Sequence, residues 1–309
     1  MKNSNSFSLE FKKYKYIYLL LLPMVLYLIL FKYKPMYGLI LSFKKFNFSL
    51  GIFKSHFIGF DNFRDVFRNP MFWTAFKNTL IISFMQLLIS FPIPIVIALL
   101  INEVRNNKQK RILQTIYTFP HFLSWIIISG MLLNFFGSGG VLNVILSGLG
   151  LEKISILTNK DTFRIFLVLT ESWKEAGWGT IIYLAAISGI DPQLYEAAEL
   201  DGAGRWGKMR HITFASILST IIVLFILKLG TIMQAGGAGF NQIVNLYNPV
   251  VYDVADIIDT FIYRRTFDGG ITYGVSTAVG LFKSLINFIL LFSGNMAIRK
   301  MTNGERGMF

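Results

Sequence analysis

Apolar and polar stretches alternate along the chain so as to leave six apolar runs separated by polar or mixed connections. The runs cover residues 17–31, 79–101, 112–136, 165–187, 212–233 and 271–298, and most approach the roughly 20 residues that a helix needs to cross a bilayer. This pattern predicts an all-α integral membrane protein with six transmembrane helices. Pro92 and Pro94 fall inside the second run and predict a distortion there. Between the first two runs, Asp61-Asn62-Phe63 and then Phe72-Trp73 suggest short amphipathic helices at the membrane interface. The first run follows a basic start, as in a secretory signal, but Lys32, Tyr33, Lys34 and Pro35 come next, with no small-residue cleavage site. It reads as a retained helix.

Composition supports the same class. Hydrophobic residues make up 53% of the 309 positions and charged residues only 15%, with 30 Phe. A soluble domain averages about 25% charged residues and cannot hide this much apolar surface. Six spans place both termini on one side. The segments 1–16, 102–111, 188–211 and 299–309 carry Lys and Arg at about twice the density of 32–77, 137–164 and 234–271, so the former are expected in the cytoplasm. The net charge of +13 is thereby explained by topology, and no nucleic-acid partner is needed. Cysteine is absent, and His56, His121 and His211 are scattered, so neither a metal site nor a paired catalytic constellation is expected. No Gly-rich P-loop is present, so this chain is not expected to hydrolyse ATP.

The fourth run is unusual. Glu171, Lys174 and Glu175 share one helical face by i, i+3 and i, i+4 spacing, and charge at membrane depth belongs toward a protein interior or a water-filled cavity. With Trp173 and Trp178, which offer flat surfaces to a sugar ring, and with Lys228 and Asn287, they are candidates for a translocation pathway. An internal Glu–Lys pair that merely stabilises the helix carries about equal weight. An ion- or proton-coupled secondary transporter using Glu171, Lys174 and Glu175 as a relay is the alternative function, although no inverted repeat accompanies it.

The segment 188–211 is hydrophilic and helix-favouring. Asp191 can cap a helix whose first residue is Pro192, and Gly202 and Gly204 break it. The residues alone leave two readings equally open, a capped surface helix and a docking knob. Glu196-Ala197-Ala198, with Gly202 four residues on and Ile212 ten further, resembles the EAA motif of permease subunits in binding-protein-dependent ABC importers. The usual Ile-x-Leu-Pro ending is replaced by Ile212-Thr213-Phe214-Ala215. Asp61-Asn62-Phe63, Phe72-Trp73, Asn78-Thr79-Leu80, Phe119-Pro120-His121-Phe122, Tyr183-Leu184-Ala185-Ala186-Ile187 and Asp191-Pro192-x-Leu194-Tyr195 resemble the carbohydrate-uptake branch, in particular importers of oligosaccharides released from complex polysaccharides and glycans.

That resemblance implies a type I importer (MetI-like) permease fold over residues 17–298 in a bacterial cell membrane. It implies that Glu196, Ala197, Ala198, Asp201 and Gly202 form the coupling helix that docks on an ATPase. The implied partners are a second related permease, two cytoplasmic ATPases that bind the ATP and Mg²⁺, an extracytoplasmic solute-binding protein, membrane lipid and an oligosaccharide substrate. No cofactor is implied in this chain.

Overall fold

The computed structural model describes residues 13–235 and 239–302. Most of residues 1–16 and of the tail 299–309 therefore lie outside the described residues. Helix α1 (Lys15–Leu28) runs through a π-helical turn at Ile29–Tyr33 into a 3₁₀ segment at Lys34–Phe43. A two-residue antiparallel ladder joins Lys44–Lys45 to His56–Phe57, and α2 (Asp61–Arg68) follows. Then come α3 (Pro70–Ile89), α4 (Pro92–Asn102), α5 (Asn107–Thr118), a 3₁₀ turn at Phe119–Phe122, α6 (Trp125–Phe136) and α7 (Val141–Gly148). The second half holds α8 (Lys160–Ser188), α9 (Pro192–Leu200), a short helix at Arg205–Lys208 that passes through a π-turn into α10 (Phe214–Leu229), α11 (Gly239–Leu246), α12 (Ile258–Phe267) and α13 (Tyr273–Met301).

Among the described residues, five stretches are long and apolar enough to cross a membrane: Lys15–Phe43, Pro70–Asn102, Trp125–Gly148, Arg205–Leu229 and Tyr273–Met301. The sixth expected span corresponds to α8. Its 29 residues extend about 43 Å, more than a bilayer core of about 30 Å, but its charges set it apart from the five.

The element boundaries depart from the sequence reading where local chemistry intervenes. The first helical stretch continues to Phe43, through residues expected to be a loop. Phe72 and Trp73 belong to α3, not to a separate interfacial helix. Asn69 starts that helix, its Oδ1 accepting from the Met71 N–H at 2.9 Å, and Phe72 is fully buried. The expected third helix, 112–136, is broken. Pro120 sits in a 3₁₀ turn, and Ser124 caps a new helix by accepting from the Ile127 N–H at 3.3 Å. The connection 137–164 contains a helix, Val141–Gly148, and the described part of 234–271 is largely helical rather than open loop. At Ser90–Phe91 the second span is interrupted, because neither Pro92 nor Pro94 can donate to the carbonyl four residues earlier.

The chain divides into two compact units, Met1–Val66 with Gly269–Leu281 and Phe67–Asp268 with Phe282–Phe309. In the first, Lys44 Nζ donates to the carbonyls of Ile52 (3.0 Å) and Phe53 (2.7 Å) and closes the hairpin loop. Asn62 Nδ2 donates to the carbonyls of Ser42 (2.9 Å) and Lys44 (3.1 Å) and fixes α2 beneath it. In the second unit α8 is central, packing against α3, α4, α5 and α10. Near its start, Phe163, Phe166 and Leu167 join Ile82, Ile243 and Ile257 in one core. Near its end, Tyr183, Leu184 and Ile187 meet Ile95, Ala98 and Ile217 in another. Midway, α8 approaches α5 so closely that a Cβ on Gly177 would lie 2.1 Å from the carbonyl oxygen of Tyr117.

Candidate translocation cavity and coupling helix

The middle of α8 borders a cavity of about 570 Å³ between α8, the α3–α4 break and α10. Spacing explains the lining. Glu171, Glu175 and Trp178 stand at i, i+4 and i+7, one face of α8, and Lys228 and Thr231 approach from the end of α10. Ser90 and Phe91 come from the break itself, so the prolines that interrupt the span also open the wall.

The charges are matched in a way that spacing alone did not anticipate. Lys174 pairs with its neighbour Glu175, Nζ to Oε1 at 3.0 Å, rather than with Glu171. The same ammonium donates to the His121 carbonyl at 2.8 Å and lies 5.7 Å from the ring centre of Trp125. The other Glu175 oxygen is 2.7 Å from His121 Nδ1. The His121 ring in turn stacks on Trp178, centroids 4.5 Å apart and planes 4° from parallel. Glu171 is buried. One of its oxygens lies 4.0 Å from Lys228 Nζ, and Oε2 has no hydrogen-bond partner.

Of the seven residues expected along the pathway, the cavity brings together Glu171, Glu175, Trp178 and Lys228. Trp173 is half exposed on another side of α8, where its ring does not reach the cavity wall. Lys174 is buried behind Glu175 and acts as a brace. Asn287 on α13 instead accepts a hydrogen bond from the Met233 N–H at 2.9 Å. Ser90 and Ser172, whose hydroxyls lie 2.6 Å apart at the wall, were not singled out from the sequence. The Ser90 position beside Pro92 and Pro94 was the available signal. Outside the spans, Asp256 sits buried against Thr260 and Arg264; burial pushes its carboxyl above the ordinary range, while both partners oppose that. Burial also pushes the Tyr247 phenol up to about 12.

Helix α9 is built differently. Asp191 caps it by accepting from the Gln193 N–H at 2.9 Å, and Pro192 occupies the first position. It ends in a Schellman arrangement. Ala203 N–H donates to the Ala198 carbonyl (2.9 Å), Gly202 N–H to that of Glu199 (3.1 Å), and Gly202 adopts φ +77°. Glu196, Ala197, Asp201 and Gly202 are exposed, with Ala198 half-buried. Leu200 is 91% exposed and Trp206 71%, which leaves an apolar tip beside the Glu-Ala-Ala turn. The helix is tied back by the Tyr195 hydroxyl, 2.9 Å from Thr213 Oγ1. The following short helix is held by Arg205, which donates to the Glu103 carbonyl (2.8 Å) and carboxylate (3.1 Å).

Residues 90–303, which contain both the cavity wall and the Glu-Ala-Ala helix, match the family model described as the binding-protein-dependent transport system inner membrane component. The chain belongs to that family. Protein LplB of Bacillus subtilis (strain 168) is 44% identical over 282 residues, covering 91% of this chain and 87% of its own. The polygalacturonan/rhamnogalacturonan transport system permease protein YteP of the same organism is 43% identical over 284 residues, covering 91% and 86%. Among solved structures, a chain of a bacterial alginate ABC transporter, crystallised in complex with its alginate pentasaccharide-bound periplasmic protein, aligns with a TM-score of 0.86. It is 38% identical, and the alignment covers 97% of this chain and 98% of that one. This is the type I importer permease fold expected from the sequence, in a multi-pass membrane protein that is a transport component and not an enzyme.

Proposed function

We propose that this chain is the permease of an ATP-driven importer that moves an oligosaccharide, delivered by an extracytoplasmic solute-binding protein, across a bacterial cell membrane. The observation that carries this reading is the likeness over nearly the whole chain to a transporter seen with a pentasaccharide-loaded periplasmic protein. The relative named for polygalacturonan and rhamnogalacturonan supports the same substrate class. A second, related permease faces this one across the pathway, and both termini lie in the cytoplasm.

In this reading the cavity beside α8 is a segment of the sugar's route. Trp178, backed by His121, offers a ring face, and Glu171 and Lys228 offer polar groups at the wall. Helix α9 docks through Glu196, Ala197, Ala198, Asp201 and Gly202 into a groove on one of two cytoplasmic ATPases. Small alanines permit close approach, Leu200 and Trp206 bury their apolar surface, and Gly202 allows the turn. Closure of the ATPases around ATP then moves α9 and switches the access of the cavity between the two sides.

The test is uptake into proteoliposomes holding this chain, its partner permease and the ATPases, with the binding protein outside. Uptake is expected to require internal ATP and to persist when ionophores collapse all ion gradients. Uptake driven by an ion gradient without ATP would replace this reading with a secondary transporter.

A further inference from the structure

Another face of α8 borders a second hollow. A pocket of about 450 Å³ lies between the ends of α4 and α8, the start of α5, and α9. It continues from the close approach of Gly177 to Tyr117: Gln114 and Lys110 follow on the α5 side, Ile181 and Leu184 on the α8 side, in steps of three or four residues that keep to one helical face. Asn102 ends a candidate span and Ser188 ends α8, so the pocket sits at the level where spans leave the membrane. Ile181 stands seven residues, about 10 Å, deeper than Ser188.

The lining is mixed in a way that narrows the ligand. Along α8 the deeper part is apolar, with Ile181, Leu184, Ala185 and Ile187, and Ile181 is still 40% exposed. Lys110 is the charged residue of the lining, and no acidic side chain joins it among the described residues. Its half-buried ammonium reaches Asn102 Oδ1 only at 3.5 Å, too long for a strong bond, although it carries three donors. A soluble anion would leave the apolar part uncovered, and a plain hydrocarbon would leave the ammonium unmatched. A zwitterionic headgroup would bring a second cation beside Lys110. An anionic glycerophospholipid meets every demand, its phosphate at Lys110 and its acyl chain along Ile187, Leu184 and Ile181.

Building on the importer reading above, which puts α9 and this end of the spans on the cytoplasmic side, we propose that the pocket binds one anionic glycerophospholipid of the cytoplasmic leaflet. Lys110 takes the phosphate. Tyr195, on the lining, makes the coupling helix part of the lipid site.

The test uses the complete permease–ATPase complex in phosphatidylcholine nanodiscs, doped with a photoreactive phosphatidylglycerol or with a phosphatidylcholine probe of the same acyl chains. Peptide mass spectrometry is expected to find the phosphatidylglycerol probe on residues 181–188 about fivefold above the phosphatidylcholine probe, the worth of one cation beside an anionic headgroup. Lys110→Gln should bring the two probes level, and Lys110→Arg should keep the preference. Lys108→Gln removes the same charge on the opposite face of α5, outside the lining, and should also keep it. Ala185→Phe, at an exposed lining position, fills the pocket without altering charge and should abolish most labelling by both probes in a complex intact on gel filtration. Should Lys110→Gln fail to assemble, the parent ratio and Ala185→Phe decide. Equal labelling by the two probes in the parent, labelling by neither, displacement by excess inorganic phosphate, or a loss at Lys108→Gln equal to that at Lys110→Gln overturns the lipid site. Labelling reads lipid contact and not transport: its failure leaves the importer reading in place, whereas uptake driven by an ion gradient without ATP strikes that reading whatever the label shows.

Discussion

Helix α9 and the middle of α8 carry opposite kinds of polarity. On α9 almost every polar group faces water, and the helix is specified by its own ends: Asp191 and Pro192 at the start, Gly202 at the stop. On α8 the polar groups are buried or half-buried, and several are held by residues distant in sequence: Lys174 and Glu175 by His121, Ser172 by Ser90. The first kind survives alteration of a single residue because solvent replaces the lost partner. The second does not, because a stranded group in a dry interior has no replacement. Under the proposed importer reading, α9 as a helix that binds and releases a partner belongs to the first kind, and the α8 wall, which must keep its shape at membrane depth, belongs to the second.

Glycine gives the strongest test of that contrast. Gly177→Ala should abolish most folded protein, since its Cβ would overlap the Tyr117 carbonyl and overpacking against backbone costs about 3 kcal/mol or more. Gly202→Ala meets open space and only the strain of a left-handed conformation, about 1 kcal/mol, so the protein should accumulate normally. Quantified gel-filtration peaks of the two variants check this. Similar recoveries would erase the distinction between the regions.

The brace comes next in size. Lys174→Met leaves Glu175 with His121 alone and the His121 carbonyl without its donor, and should cost about 3–5 kcal/mol of stability. Lys174→Met with Glu175→Gln removes both charges and should recover most of the lost thermal stability. Thermal melts of the purified variants decide it, and a double variant no better than the single one would mean that the carbonyl contact dominates.

These contacts also explain what was legible beforehand. The Glu-Ala-Ala turn could be found because a capped helix with its glycine stop is written within some twelve consecutive residues. The burden of charge on α8 was equally visible, since helical spacing puts Glu171, Lys174 and Glu175 together. The pairing was not. Glu171 and Lys174 stand at the preferred spacing for a local ion pair, yet Lys174 turns toward the 3₁₀ break at Pro120, whose free carbonyl and histidine lie 53 residues away. Hydropathy likewise ran the third helix straight through Pro120 and Ser124. An apolar run records burial or lipid contact, not continuity of the backbone, and a proline-led turn flanked by a serine cap interrupts one without changing its hydropathy.

A smaller effect is expected at Trp173. Its half-exposed ring lies away from the cavity, so Trp173→Ala should leave sugar uptake within about twofold of the parent, less than stacking contributes where a ring is engaged. A large loss of uptake at normal assembly would place the route on the other side of α8.

The division of labour between the two regions is tested most directly by measuring ATP hydrolysis and sugar uptake in the same proteoliposomes for Glu196→Lys and Trp178→Ala. The account predicts that Glu196→Lys, on the exposed face of α9, abolishes both substrate-stimulated hydrolysis and uptake in a fully assembled complex. It predicts that Trp178→Ala lowers uptake about three- to tenfold, the worth of an aromatic platform, while basal hydrolysis stays near the parent value. Normal coupling in Glu196→Lys, or normal uptake in Trp178→Ala, would contradict it.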